Sequence, residues 1–164
     1  MLLNIIGFNL SWFGLVLLGN SFIPITLLWI GLHLYLCKQR LAELTLICCV
    51  VIVGALIDSI LLFIGVFEFS GRLFIPLWLV CLWAAFGATI THSLYFLEGS
   101  KILQFIIGCI FPPLSYVAGS SLSAVVLGYE PWVTFIILAP VWGAVLMMIF
   151  SLKHKLYSPG GNHA

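Results

Sequence analysis

The stretch Ala42–Phe67, AELTLICCVVIVGALIDSILLFIGVF, decides the fold, because only two of its side chains, Glu43 and Asp58, carry charge. A helix rises about 1.5 Å per residue, and about 20 apolar residues cross the roughly 30 Å of hydrocarbon in a bilayer. A helix that is apolar on every face suits lipid better than water. This stretch is therefore predicted to be a membrane-spanning α-helix.

The composition of the whole chain agrees with this prediction. Of its 164 residues, 63% are hydrophobic and 7% are charged, whereas about a quarter of the residues of a typical soluble domain are charged. The net charge is +1, so neither nucleic acid nor an acidic protein is indicated as a partner. The length allows one domain, and lipid would cover its apolar surface.

Five more segments resemble the first in length and apolarity. The chain is thus predicted to be an all-α, polytopic transmembrane bundle of about six spanning helices, with residues 1–152 as the membrane domain and 153–164 as a short cytoplasmic tail. The five segments are Met1–Leu18, Phe22–Leu36, Leu73–Leu97, Ile102–Gly119 and Pro131–Leu152.

The basic residues predict the orientation of this bundle. Lys and Arg are concentrated in the cytoplasmic loops of membrane proteins. If both termini are cytoplasmic, Arg72 is the only one of the six basic residues that falls outside. The five inside are Lys38, Arg40, Lys101, Lys153 and Lys155.

Several local features predict turns and bends. Gly19-Asn20-Ser21 indicates a tight turn between two antiparallel helices. Proline removes a backbone donor, so Pro112-Pro113 should kink or break the fifth helix, and Pro140 should bend the sixth. Residues 120–130 are expected either to extend the fifth helix or to lie along the interface. The five cysteines form no C-x-x-C pair, and no disulfide is predicted.

Polar side chains inside a membrane are costly and are the first candidates for function. Counting along the helices places Asp58, Tyr116 and Trp78 at one outer depth, where the tyrosine and the tryptophan could donate hydrogen bonds to the carboxyl group. Asp58 is either a hydrogen-bonded contact between helices or a proton-handling or substrate-facing group.

A second polar layer is predicted nearer the cytoplasm. Asn9 and His33 come out near one depth on neighbouring helices, and Glu43 and Gln104 belong to the same layer. His92 is either hydrogen-bonded to Glu43 or water, or part of a site. Two histidines and a glutamate can bind a metal, but their spacing over three helices is unconstrained, so no metal ligand and no cofactor is predicted.

Thr89 and His92 are three residues apart and should share one face of the fourth helix. That face continues through Leu82 to Trp78 and joins the two polar layers. It predicts either a stripe that lines a cavity or an ordinary contact between helices.

Three motifs resemble a known family. The run from Pro76 to Phe86, PLWLVCLWAAF, followed by Thr89 and His92-Ser93-Leu94, is similar to the central signature of a group of small bacterial inner-membrane proteins, domain-of-unknown-function family 2878. The run FPPLSYVAG, residues 111–119, resembles a second signature, with Phe111 and Ser115 where glycine and alanine are expected. Asn9-x-x-Trp12-Phe13 and Gly19-Asn20 resemble the N-terminal pattern.

The resemblance covers nearly the whole chain and implies a multi-pass protein of the bacterial inner membrane. It transfers no catalytic residues. Family members are often encoded near cyclopropane-fatty-acyl-type methyltransferases and flavin oxidoreductases, which implies a link to fatty-acid modification.

Three functions remain open at this point. The first is an accessory component that positions membrane-associated lipid-modifying enzymes, with membrane lipids and a second copy of the chain as further candidate partners. The second is a small enzyme acting on a lipid or isoprenoid, with His92, Asp58 and Thr89 as candidate catalytic residues. The third is an oligomeric transporter coupled through Asp58. The candidate substrate or cavity residues are Asn9, Trp12, His33, Trp78 and Tyr116.

Overall fold

The structure is a computed structural model that describes residues 2–69 and 74–157. Within these residues the chain is all-α apart from one pair of two-residue strands. The helices are α1 (Leu2–Leu18), α2 (Ile23–Leu36), α3 (Arg40–Phe63), α4 (Leu77–Gly87), α5 (Lys101–Ser121) and α6 (Pro131–Tyr157), with 3-10 turns at Gly19–Phe22 and Tyr95–Leu97 and strands β1 (Phe67–Glu68) and β2 (Val126–Leu127).

Helices α1 and α2 form the predicted antiparallel hairpin. The Nδ2 atom of Asn4 lies 3.4 Å from Nδ1 of His33, although 29 residues separate them in sequence. A straight helix would hold these residues about 43 Å apart. The chain reverses in the 3-10 turn, where Gly19 has φ of 57°, a conformation that glycine adopts without steric cost.

Both ends of the described chain lie at one end of the bundle, which we call the inner end. Asn4 near the start of α1 contacts His33 near the end of α2, and His33 contacts Glu43 at the start of α3. Glu43 in turn accepts a hydrogen bond from Tyr157, the last residue of α6. The opposite, outer end carries strands β1 and β2, which pair antiparallel.

By length and apolarity, four helical stretches could cross a membrane: Leu2–Leu36, Arg40–Phe63, Lys101–Ser121 and Pro131–Tyr157. The first of these is the α1–α2 hairpin. Large apolar side chains cover the outside of the bundle; Phe63 is 91% exposed and Leu28 is 75% exposed. An apolar exterior of this kind is what a protein surrounded by lipid requires.

The fourth helix is shorter than predicted. It ends at Gly87, and residues 88–94 form a series of turns instead of continuing the helix. Two carbonyl groups at this point are held by side chains: Thr89 donates to the carbonyl of Phe86, and Asn4 of α1 donates to that of Ala88. The prediction that Thr89 and His92 share a helix face is therefore wrong.

The proline-containing helices are not interrupted. Pro112 and Pro113 lie inside α5, and Pro140 lies inside α6. Residues 122–130 do not extend α5 and form no helix of their own. They contain strand β2, which pairs with β1. Helix α6 continues to Tyr157, beyond the predicted boundary at residue 152. The rest of the predicted tail, and Arg72, lie outside the described residues.

Helices α5 and α6 pack closely along their length. Gly108 of α5 faces the backbone of α6, where a β-carbon would lie 2.5 Å from the carbonyl oxygen of Trp142 and 2.8 Å from Cα of Gly143. The contact of α5 with α6 is more extensive than its contact with any other helix. Trp142 is 1% exposed and stacks on Trp83 of α4, with ring centroids 4.8 Å apart. These contacts form the core of the bundle.

Candidate functional site

A cavity of about 440 Å³ lies among helices α1, α4, α5 and α6. Apolar and aromatic side chains form most of its wall, as in typical ligand pockets, which measure about 300–1,000 Å³. Along α5 the lining runs from Ile107 to Gly119, a length of about 18 Å. The cavity is therefore elongated along the bundle axis.

Part of the cavity wall is exposed on the outside of the bundle. Two of its lining residues, Phe96 and Phe111, are 63% and 61% exposed. Helices α1 and α5 make little direct contact. One hydrogen bond crosses the gap between them, from Nε1 of Trp12 to Oγ of Ser115, at 2.6 Å. The cavity is thus partly open at the side of the bundle, where α1 and α5 stand apart.

Five of the predicted site residues line this cavity: Asn9, Trp12, Trp78, Thr89 and Tyr116. Asn9 donates to the carbonyl of Ile5 in its own helix, at 2.8 Å. The backbone N–H of Trp78 donates to Oδ1 of Asn20, at 3.1 Å, which joins α4 to the α1–α2 turn. The stripe predicted on the fourth helix lines the cavity at Trp78, Leu82 and Thr89, but it does not include His92.

Asp58 lies behind the cavity wall and is fully buried. Its two carboxyl oxygens accept hydrogen bonds from Tyr116 Oη at 2.5 Å and from Trp83 Nε1 at 2.7 Å. Both donors line the cavity, whereas Asp58 itself does not. The sequence correctly predicted Tyr116 as a donor, but the tryptophan is Trp83 and not Trp78. Asp58 therefore fixes two aromatic rings of the wall.

A second group of polar side chains meets at the inner end. We call His33, Cys37, Glu43 and His92 the inner cluster; one candidate ligand atom from each lies within 4.8 Å of all the others. His33 Nε2 is 2.9 Å from Oε1 of Glu43, and Cys37 Sγ is 3.6 Å from that nitrogen and 3.8 Å from Nε2 of His92. Glu43 is 2% exposed, so its charge is held away from water.

Neighbouring polar groups fix the orientation of this cluster. The hydroxyl of Thr91 lies 2.7 Å from Nδ1 of His92 and 2.9 and 2.7 Å from the two oxygens of Glu43. Tyr157 donates to Glu43 from the end of α6. Cys37 follows the last turn of α2, where burial and the nearby Glu43 carboxylate raise the pKa of its thiol.

The inner cluster is separate from the Asp58 group, by which we mean Asp58 with its two donors Tyr116 and Trp83. Glu43 and Asp58 lie 15 positions apart on α3, which corresponds to about 22 Å. His92 belongs to the first group and Asp58 to the second, and neither lines the cavity. A single acid–base centre containing both side chains does not fit this arrangement.

Sequence reasoning missed several of these residues. Asn4 of α1 contacts His33, whereas the sequence had placed Asn9 near its depth, and the predicted polar layer did not include Thr91, Cys37 or Tyr157. The sequence did contain one indication that Cys37 lies near His33. Cys37 follows His33 by four residues and so lies on the same side of α2. Gln104 donates to the carbonyl of Leu97 and does not join the cluster.

Comparison with known proteins assigns the chain to a family. The sequence model described as protein of unknown function (DUF2878) matches residues 1–148. The chain therefore belongs to this family, as the three motifs indicated. No curated protein and no solved structure is detectably similar to it.

Proposed function

We propose that this protein binds one acyl chain of a membrane phospholipid in the cavity between α1, α4, α5 and α6, as an accessory component of fatty-acid modification in the bacterial inner membrane. The observation that carries the proposal is an elongated apolar cavity with a lateral opening. A cavity lined mainly by apolar side chains favours an apolar occupant over water. The link to fatty-acid modification follows the expectation that the family resemblance raised.

The shape and chemistry of the wall support a hydrocarbon chain as the ligand. The lining runs about 18 Å along α5, and its scattered polar groups include no charged side chain. Polar lining groups near the inner end, such as Thr89 and Ser93, suit the more polar end of such a molecule. Because the opening faces lipid, the ligand can enter without crossing water.

The Asp58 group supports a positioning role. Tyr116 and Trp83 stack with Trp142 to form one aromatic side of the cavity. Two hydrogen bonds to one carboxyl group prevent these rings from turning into the space. Asp58 in this proposal shapes the binding site and does not touch the ligand.

The proposal includes six crossings with both termini in the cytoplasm. Asn4 and Tyr157 lie at the inner end, as an even number of crossings requires. The residues that favour the cytoplasmic side gather at the same end: Lys38 just before α3, Arg40 and Lys101 at the starts of α3 and α5, and Lys153 and Lys155 in the last turns of α6. This arrangement supports a cytoplasmic inner end.

A reporter fused to the C-terminus is expected to lie in the cytoplasm. Green fluorescent protein at that position should fluoresce, and alkaline phosphatase there should be inactive. A matched phosphatase fusion after Tyr129, in the connection between α5 and α6, should be active. Phosphatase activity at the C-terminus would contradict the six-crossing arrangement.

Blocking the cavity is expected to remove the bound lipid. Leu82→Trp places an indole inside the cavity, and native mass spectrometry of the detergent-solubilised protein should show at least about tenfold less co-purified phospholipid than in the wild type, a loss of about 1.4 kcal/mol in binding. Leu77→Trp is the matched control, since Leu77 lies on the same helix and is 65% exposed. It should retain the wild-type amount.

The same pair of variants tests the cellular role. Deleting the gene should change the profile of modified fatty acids, and Leu77→Trp should restore it while Leu82→Trp should not. Equal lipid occupancy in the two variants would reject the binding site. An unchanged fatty-acid profile in the deletion strain would reject the role in modification and leave lipid binding to be judged by mass spectrometry. A polyprenyl mass in place of a phospholipid would overturn the acyl-chain assignment.

A further inference from the structure

The inner cluster has a composition that suits a transition metal. It contains two imidazoles, one thiol and one carboxylate, contributed by the end of α2, the start of α3 and the turns after α4. Thiolate and imidazole ligands favour Zn²⁺, which in structural sites takes four ligands in a tetrahedron. The four side chains come from three segments that the metal would hold together.

The spacing of the ligand atoms is close to that of a tetrahedral site. Bonds of about 2.0–2.3 Å to zinc place neighbouring ligand atoms about 3.3–3.8 Å apart. Cys37 Sγ lies 3.6 Å from Nε2 of His33 and 3.8 Å from Nε2 of His92. Oε1 of Glu43 is 2.9 Å from His33 Nε2, so only small shifts are needed to admit an ion.

The groups around the ligands resemble the outer shell of a metal site. Metal-bound histidine usually donates its other N–H to a fixed oxygen, which sets the ring orientation. Thr91 Oγ1 stands 2.7 Å from Nδ1 of His92 and is placed to accept this hydrogen bond. Thr91 and Tyr157 also hold Oε2 of Glu43, while Oε1 faces Nε2 of His33.

Charge balance also favours a divalent cation. A Cys37 thiolate and the Glu43 carboxylate carry two negative charges, which Zn²⁺ neutralises in a region where Glu43 is 2% exposed. Coordination of the ion releases the thiol proton of Cys37 and takes the place of the hydrogen bond between Nε2 of His33 and Oε1 of Glu43. His92 is 35% exposed and leaves an entry path for the ion.

We propose that His33, Cys37, Glu43 and His92 form a structural Zn²⁺ site that ties the inner ends of α2 and α3 to the segment 88–94. The site is independent of lipid binding in the cavity. The proposed metal site and the cavity are nonetheless linked through Asn4. This side chain contacts His33 and accepts a hydrogen bond, at 2.7 Å, from Ser93 of the cavity wall. The metal would thereby hold the inner end of the cavity in place.

Metal titration of the full-length protein in detergent, without added lipid, tests this site. After chelator treatment the wild type should bind one Zn²⁺ per chain, and Co²⁺ should give visible bands of a tetrahedral site with thiolate-to-cobalt charge transfer. Cys37→Ser should lose the charge-transfer absorption. Cys48→Ser is the matched control, since Cys48 is exposed on α3, and it should keep this absorption.

Two further variants sharpen the test. Thr91→Val should weaken Zn²⁺ binding by about 10–100-fold, the usual effect of removing an outer-shell partner. Leu82→Trp should still bind one Zn²⁺, which separates this site from the proposed lipid site. Saturating Zn²⁺ should raise the melting temperature of the wild type and not that of Cys37→Ser. Absence of stoichiometric metal in the wild type, or an unchanged cobalt spectrum in Cys37→Ser, would overturn the proposal.

Discussion

Asp58→Ala is expected to lower the free energy of unfolding by about 2–4 kcal/mol, because it leaves the Trp83 N–H and the Tyr116 O–H without an acceptor. Each unsatisfied buried donor costs about 1–3 kcal/mol. The loss is partly offset, because the variant no longer has to bury a carboxyl group. Unfolding of the detergent-solubilised protein, followed by tryptophan fluorescence, measures the change.

The matched control for this variant is Ser59→Ala, next to Asp58 on α3. The hydroxyl of Ser59 is exposed and bonds only to the carbonyl of Ala55 in the same helix, so its loss should change stability by less than about 0.5 kcal/mol. The double variant Asp58→Ala, Tyr116→Phe should lose less than the sum of the two single changes, because the tyrosine donor is then absent. A fully stable Asp58→Ala protein would show that the carboxyl group does not hold the aromatic wall.

Gly108→Ala is expected to lower the free energy of unfolding by about 3 kcal/mol, because the new methyl group meets backbone atoms that cannot rotate away. This value is the upper end of the usual cost of overpacking, about 1–3 kcal/mol. The carbonyl oxygen of Trp142 would lie 2.5 Å from the added carbon. Gly108→Leu should separate α5 from α6 and prevent recovery of folded protein. Thermal unfolding and the yield of monodisperse protein provide the measurement.

Gly31→Ala is the control for this second prediction. Gly31 lies inside α2, and an added β-carbon there meets no atom within 4 Å. Alanine has the higher helix propensity, by about 1 kcal/mol, so this variant should be as stable as the wild type or more so. Equal effects of the two alanine substitutions would mean that the close approach of α5 and α6 contributes little.

The sequence predicted the helical segments well, because a membrane-spanning helix is apolar along most of its length. Each long apolar run in the sequence therefore marks one helix. Five of the six predicted segments agree with α-helices that begin and end near the expected residues. The exception is the fourth, which stops at Gly87. That end depends on Asn4, which is 84 positions away from the carbonyl it binds, and no local pattern contains this information.

The candidate site was predicted only in part, for a geometric reason. Counting residues gives the height of a side chain in the membrane but not its direction around the helix axis. Trp78 and Trp83 differ by five positions on α4, about 140° around the helix, so depth alone could not decide which of them reaches Asp58. Tyr116 was assigned correctly. The contacts of the inner cluster depend on which loop returns to which helix, which counting along single helices does not give.

The close pairing of α5 with α6 bears on how the protein is made. These two helices follow α1–α4 in the chain, and both contribute residues to the cavity. During synthesis α1–α4 are therefore made while one side of the cavity is still missing. Under the proposed function, the acyl chain enters only after α5 and α6 have been made, through the gap that Trp12 and Ser115 bridge.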